Sequence, residues 1–492
     1  MMEVSVKILV IQLARLGDIL MTWPQIRAIK RLHPEAQIDL LLRPRFKDAA
    51  VGLTEINRVI EFPVENIFEP LLEEPMNIDS SLNAVDSIIT ELRAENYDWV
   101  INSTLSPASS YFTHELQTPG TRITGYSRTS DGFLAITDDV SAYIYAQVGV
   151  DRDNRIHLSD LFTLMVDAQP TPDDWKTPVA EASPVEIQDY IVLHVGASRA
   201  DKKFSAFKWR TFISHFQKIR SIPLVLIGND EESKDASFIS LGFDPGQVID
   251  LTGKLKFPQL FPLISKAKAY LGCDSAPLHI ASLVGTPALN ISLNTVNFWE
   301  TGPKSLGSRV LFADTEADLP SEKVAMELVA VIDGLAPKKD SIFFNEKSPS
   351  YTAPNNTRNQ DWTWQMIFAL YMGGEWPTLD TNTKRQGLKN LFEVNRVIID
   401  QFTTIRKTKS VGAVSGIIER CEEVIESVGN FVPELSPLIR WYQTQKSLIG
   451  PGSPNEILDA TEKVHTDFDS IMQFWLTKDI KTTEELDGPS HT

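Results

Sequence analysis

Two short stretches carry the residues best suited to chemistry. The first runs Cys273-Asp274-Ser275-Ala276-Pro277-Leu278-His279 and leads from the apolar run Ala269–Cys273 into a helical pattern. A helix start has unpaired N–H groups and a partial positive charge, so it suits a phosphate. The small side chains of Ser275 and Ala276 let an anion approach the backbone, and Pro277 fits the first turn. Read alone, Asp274 or Ser275 would simply cap the helix. The second stretch, Arg15-Leu16-Gly17-Asp18, takes the equivalent place in the first half of the chain. Gly17 leaves room for a ligand or a tight turn there. A carboxylate at Asp18, facing a cleft, can take a proton from an acceptor hydroxyl; the plainer alternative is again an N-cap.

The surrounding elements place both stretches at strand ends. Strands are expected at Lys7–Leu13, Gln37–Leu42, Val59–Phe62, Tyr97–Asn102 and Arg122–Gly125, with helices at Gly17–Leu32, interrupted or restarted at Pro24, and at Ser80–Glu95. After a Pro-, Asp- and Ala-rich stretch the pattern restarts, with strands at Tyr190–Val195, Leu224–Gly228, Val248–Asp250, Ala269–Cys273 and Ala288–Ile291. Such alternation predicts an α/β chain with parallel, doubly wound sheets in two Rossmann-like halves. We place a first domain at 1–175, a linker at 176–186, a second domain at 187–335, a helical appendage at 336–476 and a disordered tail at 477–492. Lys338–Arg358 reads as polar and turn-rich. Helical spacing follows, as in Leu388, Leu391, Phe392, Val394, Val397, Ile398 and in Ile417, Ile418, Val424, Ile425, Val428.

Bulk composition narrows the class. The chain has 492 residues, 42% hydrophobic and 23% charged, with a formal net charge of −18. That is a globular composition too long for one core, and its charge argues against a nucleic-acid partner or a surface wholly docked on anionic lipid. Two cysteines, Cys273 and Cys421, make no disulfide framework and show no zinc-ligand spacing. No apolar run is long enough for a transmembrane segment, and no signal-peptide pattern is present, so a cytoplasmic location is expected.

Together the two stretches resemble the heptosyltransferases of glycosyltransferase family 9, which build the inner core of lipopolysaccharide. The resemblance covers roughly the first two-thirds of the chain. It rests on Lys7–Leu20, Asn96–Asn102, Arg122–Tyr126, His194-Val195-Gly196-Ala197-Ser198, Lys202–Trp209, Leu226-Ile227-Gly228, Leu251-Thr252-Gly253 and, most strongly, Leu271–Pro287. It implies a GT-B fold, two Rossmann-like domains facing a cleft, and inverting transfer with neither metal nor cofactor. The implied donor is a nucleotide sugar, ADP-heptose above all, and the implied acceptor a lipopolysaccharide-core or related glycan or glycolipid. Peripheral contact with the inner membrane is compatible with such an acceptor.

Residue by residue, the resemblance makes Asp18 the catalytic base and Lys202 the cation beside the donor phosphates, with Lys203 as an alternative register. Ser198 takes the place of a phosphate-contacting hydroxyl. Glu232, or its neighbour Glu231, fits the acid that binds the ribose. Asp274 would hold sugar hydroxyls, Ser275 and Ala276 would offer N–H groups, and His279 would reach a phosphate or buttress the loop. Two departures stand out: Ala276 replaces the usual Gly, and Ser292-Leu293-Asn294-Thr295 replaces the usual Phe-Gly-Pro run. The following Phe298-Trp299-Glu300-Thr301-Gly302-Pro303 reads either as an aromatic wall or as core. On the acceptor side, Arg15, Arg43, Arg45 and Arg122 lie on expected strand-end loops, and arginine suits carboxylate or phosphate recognition. A transferase acting on a protein or another surface polymer, and an inactive GT-B-like scaffold, are the competing readings. Intact Asp18, Lys202 and Asp274 argue against the scaffold.

Overall fold

The computed structural model describes residues 6–149, 151–197, 199–339, 341–345, 350–353 and 361–486, with side chains as far as 478. The chain divides into two compact units, Met1–Gly125 with Arg155–Asn355, and Tyr126–Asn154 with Asn356–Thr492.

The first unit holds both Rossmann-like halves. Strands β1 (Lys7–Ile11), β2 (Gln37–Leu42), β3 (Arg58–Glu61), β4 (Trp99–Asn102) and β5 (Arg122–Arg128) pair in parallel in the order β3-β2-β1-β4-β5. From Tyr126 onward β5 belongs to the second unit, where β6 (Leu134–Ile136) pairs with it antiparallel. The second sheet contains β7 (Ile191–His194), β8 (Leu224–Ile227), β9 (Val248–Asp250), β10 (Ala269–Cys273), β11 (Ala288–Leu293), β12 (Arg309–Ala313), β13 (Ile342–Asn345) and β14 (Ser350–Thr352), ordered β14-β13-β12-β11-β10-β7-β8-β9. Strands with helices on both faces read as continuous apolar runs, as in Ile8-Leu9-Val10-Ile11 and Ile191-Val192-Leu193, all fully buried.

One apolar cluster runs from β1 and the Leu16–Leu32 helix through to Tyr270, Leu278 and Ile280 of the second half. Trp23, fully buried, stacks on Phe261 with ring centroids 5.4 Å apart. Removing so large a side chain from a packed core costs about 3–5 kcal/mol, so Trp23 is a principal tie between the halves.

Three sequence readings need correction here. Pro24 does not interrupt its helix, which is continuous over Leu16–Leu32. The turn-rich stretch after Lys338 contains β13 and β14, which extend the sheet antiparallel from β12. They are anchored by Tyr351, buried against Phe298 and Trp299. Finally, Tyr126–Asn154 groups with the C-terminal helices, not with the first Rossmann-like half. Gln147 Nε2 donates to Tyr371 Oη (3.2 Å) and to Pro437 O (3.0 Å), and Arg440 Nε donates to Ala146 O (2.9 Å). No sequence periodicity marks such long-range bonds.

The second unit is otherwise helical, with Asn382–Thr408, Ser415–Phe431, Ser436–Ser447 and Pro454–Leu486 its longest helices. Leu388, Leu391, Ile398, Ile425 and Val428 lie in its core, whereas Val397, Ile417 and Val424 face outward. Helix covers 477–486, where a disordered tail is expected, and 487–492 lie outside the described residues.

Candidate functional site

A cavity of about 750 Å³ opens in the first unit where the C-terminal ends of both sheets meet. In parallel α/β sheets this is where ligands bind, because strand-end loops and helix starts converge there. Arg15, Gly17, Asp18 and Arg45 line it from the first half, and Lys202, Glu232, Asp274, Ser275, Ala276 and His279 from the second.

Local bonding explains why Asp18 faces this space. Beyond β1 the chain is pinned by Gln12, whose Nε2 donates to Thr22 Oγ1 (3.1 Å) and Ser103 O (3.0 Å). Leu13 N–H donates to Thr104 Oγ1 at 2.8 Å. Asp18 Oδ2 accepts the Arg15 N–H at 3.0 Å, so this carboxylate does brace its helix start while still lining the cavity. Burial pushes its pKa up; the Arg15 N–H bond, the Arg15 charge and Lys202 oppose the shift, and Asp274 adds to it. An upward-shifted carboxylate is a stronger base when ionised, the property wanted for taking a hydroxyl proton.

Opposite stand Lys202 and Asp274, joined through Nζ and Oδ2 at 2.7 Å, with side chains only 12% and 10% exposed. Lys203 turns elsewhere and pairs with Asp235. Of the two lysines, Lys202 is the one that lines the cavity. Thr295 Oγ1 donates to Asp201 O at 3.1 Å, so the Ser292–Thr295 loop props the turn that carries Lys202.

Glu232 and Glu231 separate in the same way. Glu231 is exposed, whereas the Glu232 carboxylate lies against the backbone of Gly196 and Gly228. A methyl on Gly196 would stand 1.5 Å from Glu232 Oε1, and one on Gly228 2.5 Å from Oε2. Two glycines at adjacent strand ends thus make the space that the carboxylate fills. Oε2 accepts the Asn229 N–H at 2.8 Å, and burial raises the carboxyl's pKa.

The Ala276–Leu283 helix starts at the cavity with Ser275 as its N-cap and Pro277 in the first turn. Ser275 Oγ does not cap that helix; it contacts His194 Nδ1 at 3.0 Å and donates to Cys273 O at 3.1 Å. The helix N–H groups are therefore left to whatever anion enters. His279 is buried, and burial pulls its pKa down to about 4, so it is neutral near pH 7. Its Nδ1 has no hydrogen-bond partner among the described residues. It can supply a hydrogen bond, but not charge, to an entering phosphate.

The arginines divide. Arg15 and Arg45 line the cavity. Arg43 lies behind them, bonded to Ala14 O, with its guanidinium 4.8 Å from the Phe46 ring that Arg45 also covers at 4.5 Å. Arg122 is a correction. It is the first residue of β5 and so sits at the opposite edge of the sheet, paired with Asp167 (2.6 Å) and stacked on Trp99 (4.0 Å). Sequence marks a strand's position but not which of its ends is open. Ser198 lies outside the described residues. The Phe298–Pro303 stretch is core: Phe298 and Trp299 pack with Val310, Ile342 and Tyr351. Its Thr301 reaches the cavity with a buried Oγ1 that has no hydrogen-bond partner among the described residues.

His194 is a residue missed as a single site, although it begins one of the matching motifs. Among the described residues no cluster of His, Cys, Asp and Glu could hold a metal ion.

Known proteins resemble this chain in sequence and fold. The model of glycosyltransferase family 9 (heptosyltransferase) matches residues 85–306, which include Lys202, Glu232, Asp274 and His279. Lipopolysaccharide heptosyltransferase 3 of Escherichia coli strain K12 is 26% identical over 362 residues, which span 70% of this chain and 98% of that protein. Over this region the chain is similar to glycosyltransferase family 9. It is accordingly a glycosyltransferase. The transferase's fold is that of the GT-B heptosyltransferases. The structure of E. coli ADP-heptose lps heptosyltransferase II aligns with a TM-score of 0.50 at 17% identity, covering 66% of this chain and 98% of that one. The structure of E. coli heptosyltransferase WaaC with ADP aligns with a TM-score of 0.51 at 16% identity, covering 66% and 100%. The relatives thus match over nearly their whole length and leave about a third of the transferase outside the likeness. No helix of the described residues is long and apolar enough to cross a membrane.

Proposed function

We propose that this transferase moves heptose from ADP-heptose to a sugar hydroxyl of a lipopolysaccharide-core or related envelope glycan, with inversion and without a metal. The observation that carries the reading is the placement of Asp18 across one cavity from Lys202, Asp274 and the Ala276–Leu283 helix start. The names of the relatives, lipopolysaccharide heptosyltransferase 3 and ADP-heptose lps heptosyltransferase II, supply the sugar, the nucleotide and the acceptor.

In this mechanism Asp18 takes the proton of the acceptor hydroxyl as its oxygen attacks the anomeric carbon from the face opposite the diphosphate. The anomeric C–O bond to the diphosphate breaks, and the leaving group departs with two phosphates' worth of charge. Lys202 and the helix N–H groups at Ser275 and Ala276 receive that charge, preorganised donors that need no cation beside them. Before the donor arrives Lys202 is neutralised by Asp274, so the phosphates and sugar hydroxyls replace one buried ion pair with two new sets of contacts. Asp274 then faces sugar hydroxyls, and Glu232 the ribose. Arg15 and Arg45, with Arg43 behind them, face an anionic group on the acceptor. Cytoplasmic location with peripheral membrane contact follows from such a glycolipid substrate.

The test is donor-dependent heat stabilisation followed by transfer. ADP-heptose should raise Tm by mass action and release ADP in the presence of core glycan. Stabilisation by UDP- or GDP-sugars with none by ADP-heptose would replace the donor assignment. Transfer to protein but not to core glycan would replace the acceptor.

A further inference from the structure

We infer that the stretch from Val64 to Leu82 is a docking surface for a basic amphipathic helix of a partner protein. None of its residues lines the cavity.

Single apolar side chains in water are ordinary, but five large ones stand close together here. Phe68, Leu72, Met76, Ile78 and Leu82 are between 53% and 83% exposed. They belong to two elements packed on each other: the Val64–Phe68 helix with its continuation Glu69–Leu72, and the Ile78–Ala94 helix. Ile78 and Leu82, one turn apart, form an apolar ridge on the second, while Phe68 and Leu72 stand on the first. Asn77 ties the two together. Its N–H donates to Pro70 O at 2.9 Å, and its Oδ1 accepts the Ser80 N–H at 3.1 Å. At the join Glu73, Glu74, Met76, Ile78 and Asp79 line a depression of about 760 Å³.

Charge decides the occupant. Seven carboxylates and no Lys, Arg or His lie between Glu65 and Glu91. Glu65, Glu69, Glu73, Glu74 and Asp79 are exposed. Ion pairs among the described residues flank the stretch, at Glu61 and Glu95, and pass over its own carboxylates. A solvated acidic face is ordinary by itself; the apolar side chains set among these acids are what such a face does not need. An anionic lipid surface is repelled by this charge. A second copy docked through the same face would set like charges against each other. A cationic partner gains twice, because its Lys or Arg heads meet the carboxylates while their stems and its apolar side chains cover Phe68 to Leu82. Helical ridges with a depression between them take a further helix, whose anchors repeat at helical spacing.

The test uses the full-length protein and a fluorescent synthetic helix with Leu on one face and Lys on the other. Wild type should bind it with an affinity that falls as salt rises. The triple change Phe68→Ser, Leu72→Ser and Met76→Ser should weaken binding about tenfold or more. The triple reversal Glu69→Lys, Glu73→Lys and Glu74→Lys should do the same. These positions are exposed, so folding and ADP affinity should stay as in wild type. Two controls separate this surface from the general acidity of a chain with net charge −18. The same helix with Glu in place of Lys should not bind. Glu419→Lys, Glu423→Lys and Glu426→Lys together, on exposed positions of the Ser415–Phe431 helix, should leave binding unchanged. Equal losses from the two charge reversals, or no loss from the serine variant, would overturn the proposal. So would wild-type binding to phosphatidylglycerol vesicles, or self-association in sedimentation, that the serine variant abolishes; a membrane or a second copy would then be the occupant.

Discussion

Gly17 lies directly against the imidazole of His279: a methyl built on its Cα would stand 3.1 Å from His279 Cδ2 and 3.3 Å from Nε2. The two motifs that sequence places about 260 residues apart are thus in van der Waals contact, the helix start with the candidate base touching the helix with the candidate phosphate donors. Gly17→Ala should push these elements apart by a few tenths of an ångström. Displacements of about 1 Å cost roughly 100-fold in rate, so kcat should fall severalfold and well short of that. His279→Ala in the same chain should restore part of the loss, and steady-state kinetics of the two single variants and the double would show it as non-additivity. Strict additivity would mean that the contact carries no coupling.

Asp18→Asn tests the base directly. Transfer should fall by about 10²–10⁴-fold, the usual worth of a general base, while ADP affinity stays unchanged. Stability should move the other way. Burial raises the carboxyl's pKa above its ordinary value, so the stability it contributes is full below the unfolded pKa and lost as pH rises through the folded one. Near neutral pH the ionised carboxylate destabilises the fold, and the amide should therefore melt at a higher temperature. A scan showing Asp18→Asn less stable than wild type at pH 7, and more stable only in acid, would reverse that sign.

The acid limb of kcat/KM should follow Asp18 and its neighbours. Because burial raises this carboxyl, the limb should lie above 3.8, its ordinary value. Lys202 lowers that pKa and Asp274 raises it, so Asp274→Asn should shift the limb to lower pH and Lys202→Met to higher pH. Both variants will also weaken donor binding, but only the direction of the limb identifies Asp18. A limb unmoved in both would assign the titration to another group.

Gly196→Ala should remove the nucleotide site without touching a ligand. Its methyl would sit 1.5 Å from Glu232 Oε1, a distance that forces the carboxylate out. ADP affinity should drop to the level of Glu232→Gln, and combining the two changes should cost little more than either alone. Calorimetric titration of the three variants checks this, with additive losses as the contrary result.

Arg45→Ala and Arg122→Ala should behave oppositely. Arg45 lines the cavity, and its removal should raise acceptor KM about tenfold or more, as expected for a hydrogen-bonded charge. Arg122 sits at the far edge of the sheet on Trp99 and beside an exposed Asp167. Its removal should leave kinetics unchanged and cost about 0.5–1 kcal/mol in denaturant titration. An acceptor KM that rises for Arg122→Ala would reinstate that residue.

Sequence by itself determined the repeating units and marked the strand ends suited to a phosphate. Apolar runs bounded by turn residues give β1, β2, β7 and β10 because strands buried on both faces leave that mark in order along the chain. Asp18, Asp274, Ser275 and His279 were legible for a related reason: a strand end followed by small residues and a helix start is a local pattern. Only the tertiary structure decided the rest, because it depends on distance rather than on order. Lys202 separates from Lys203 by pairing with Asp274 rather than Asp235, and Glu232 from Glu231 by entering a space emptied by Gly196 and Gly228. Arg122 left the candidate site because strand direction puts it at the wrong edge, and Tyr126–Asn154 joined the helical unit through bonds to residues more than 200 positions away. The helix start at Ser275 changed least in identity and most in meaning. Its open N–H groups were readable as a motif, but the His194 that contacts its hydroxyl and the Gly17 that lets His279 approach the Asp18 helix come together only when the chain folds.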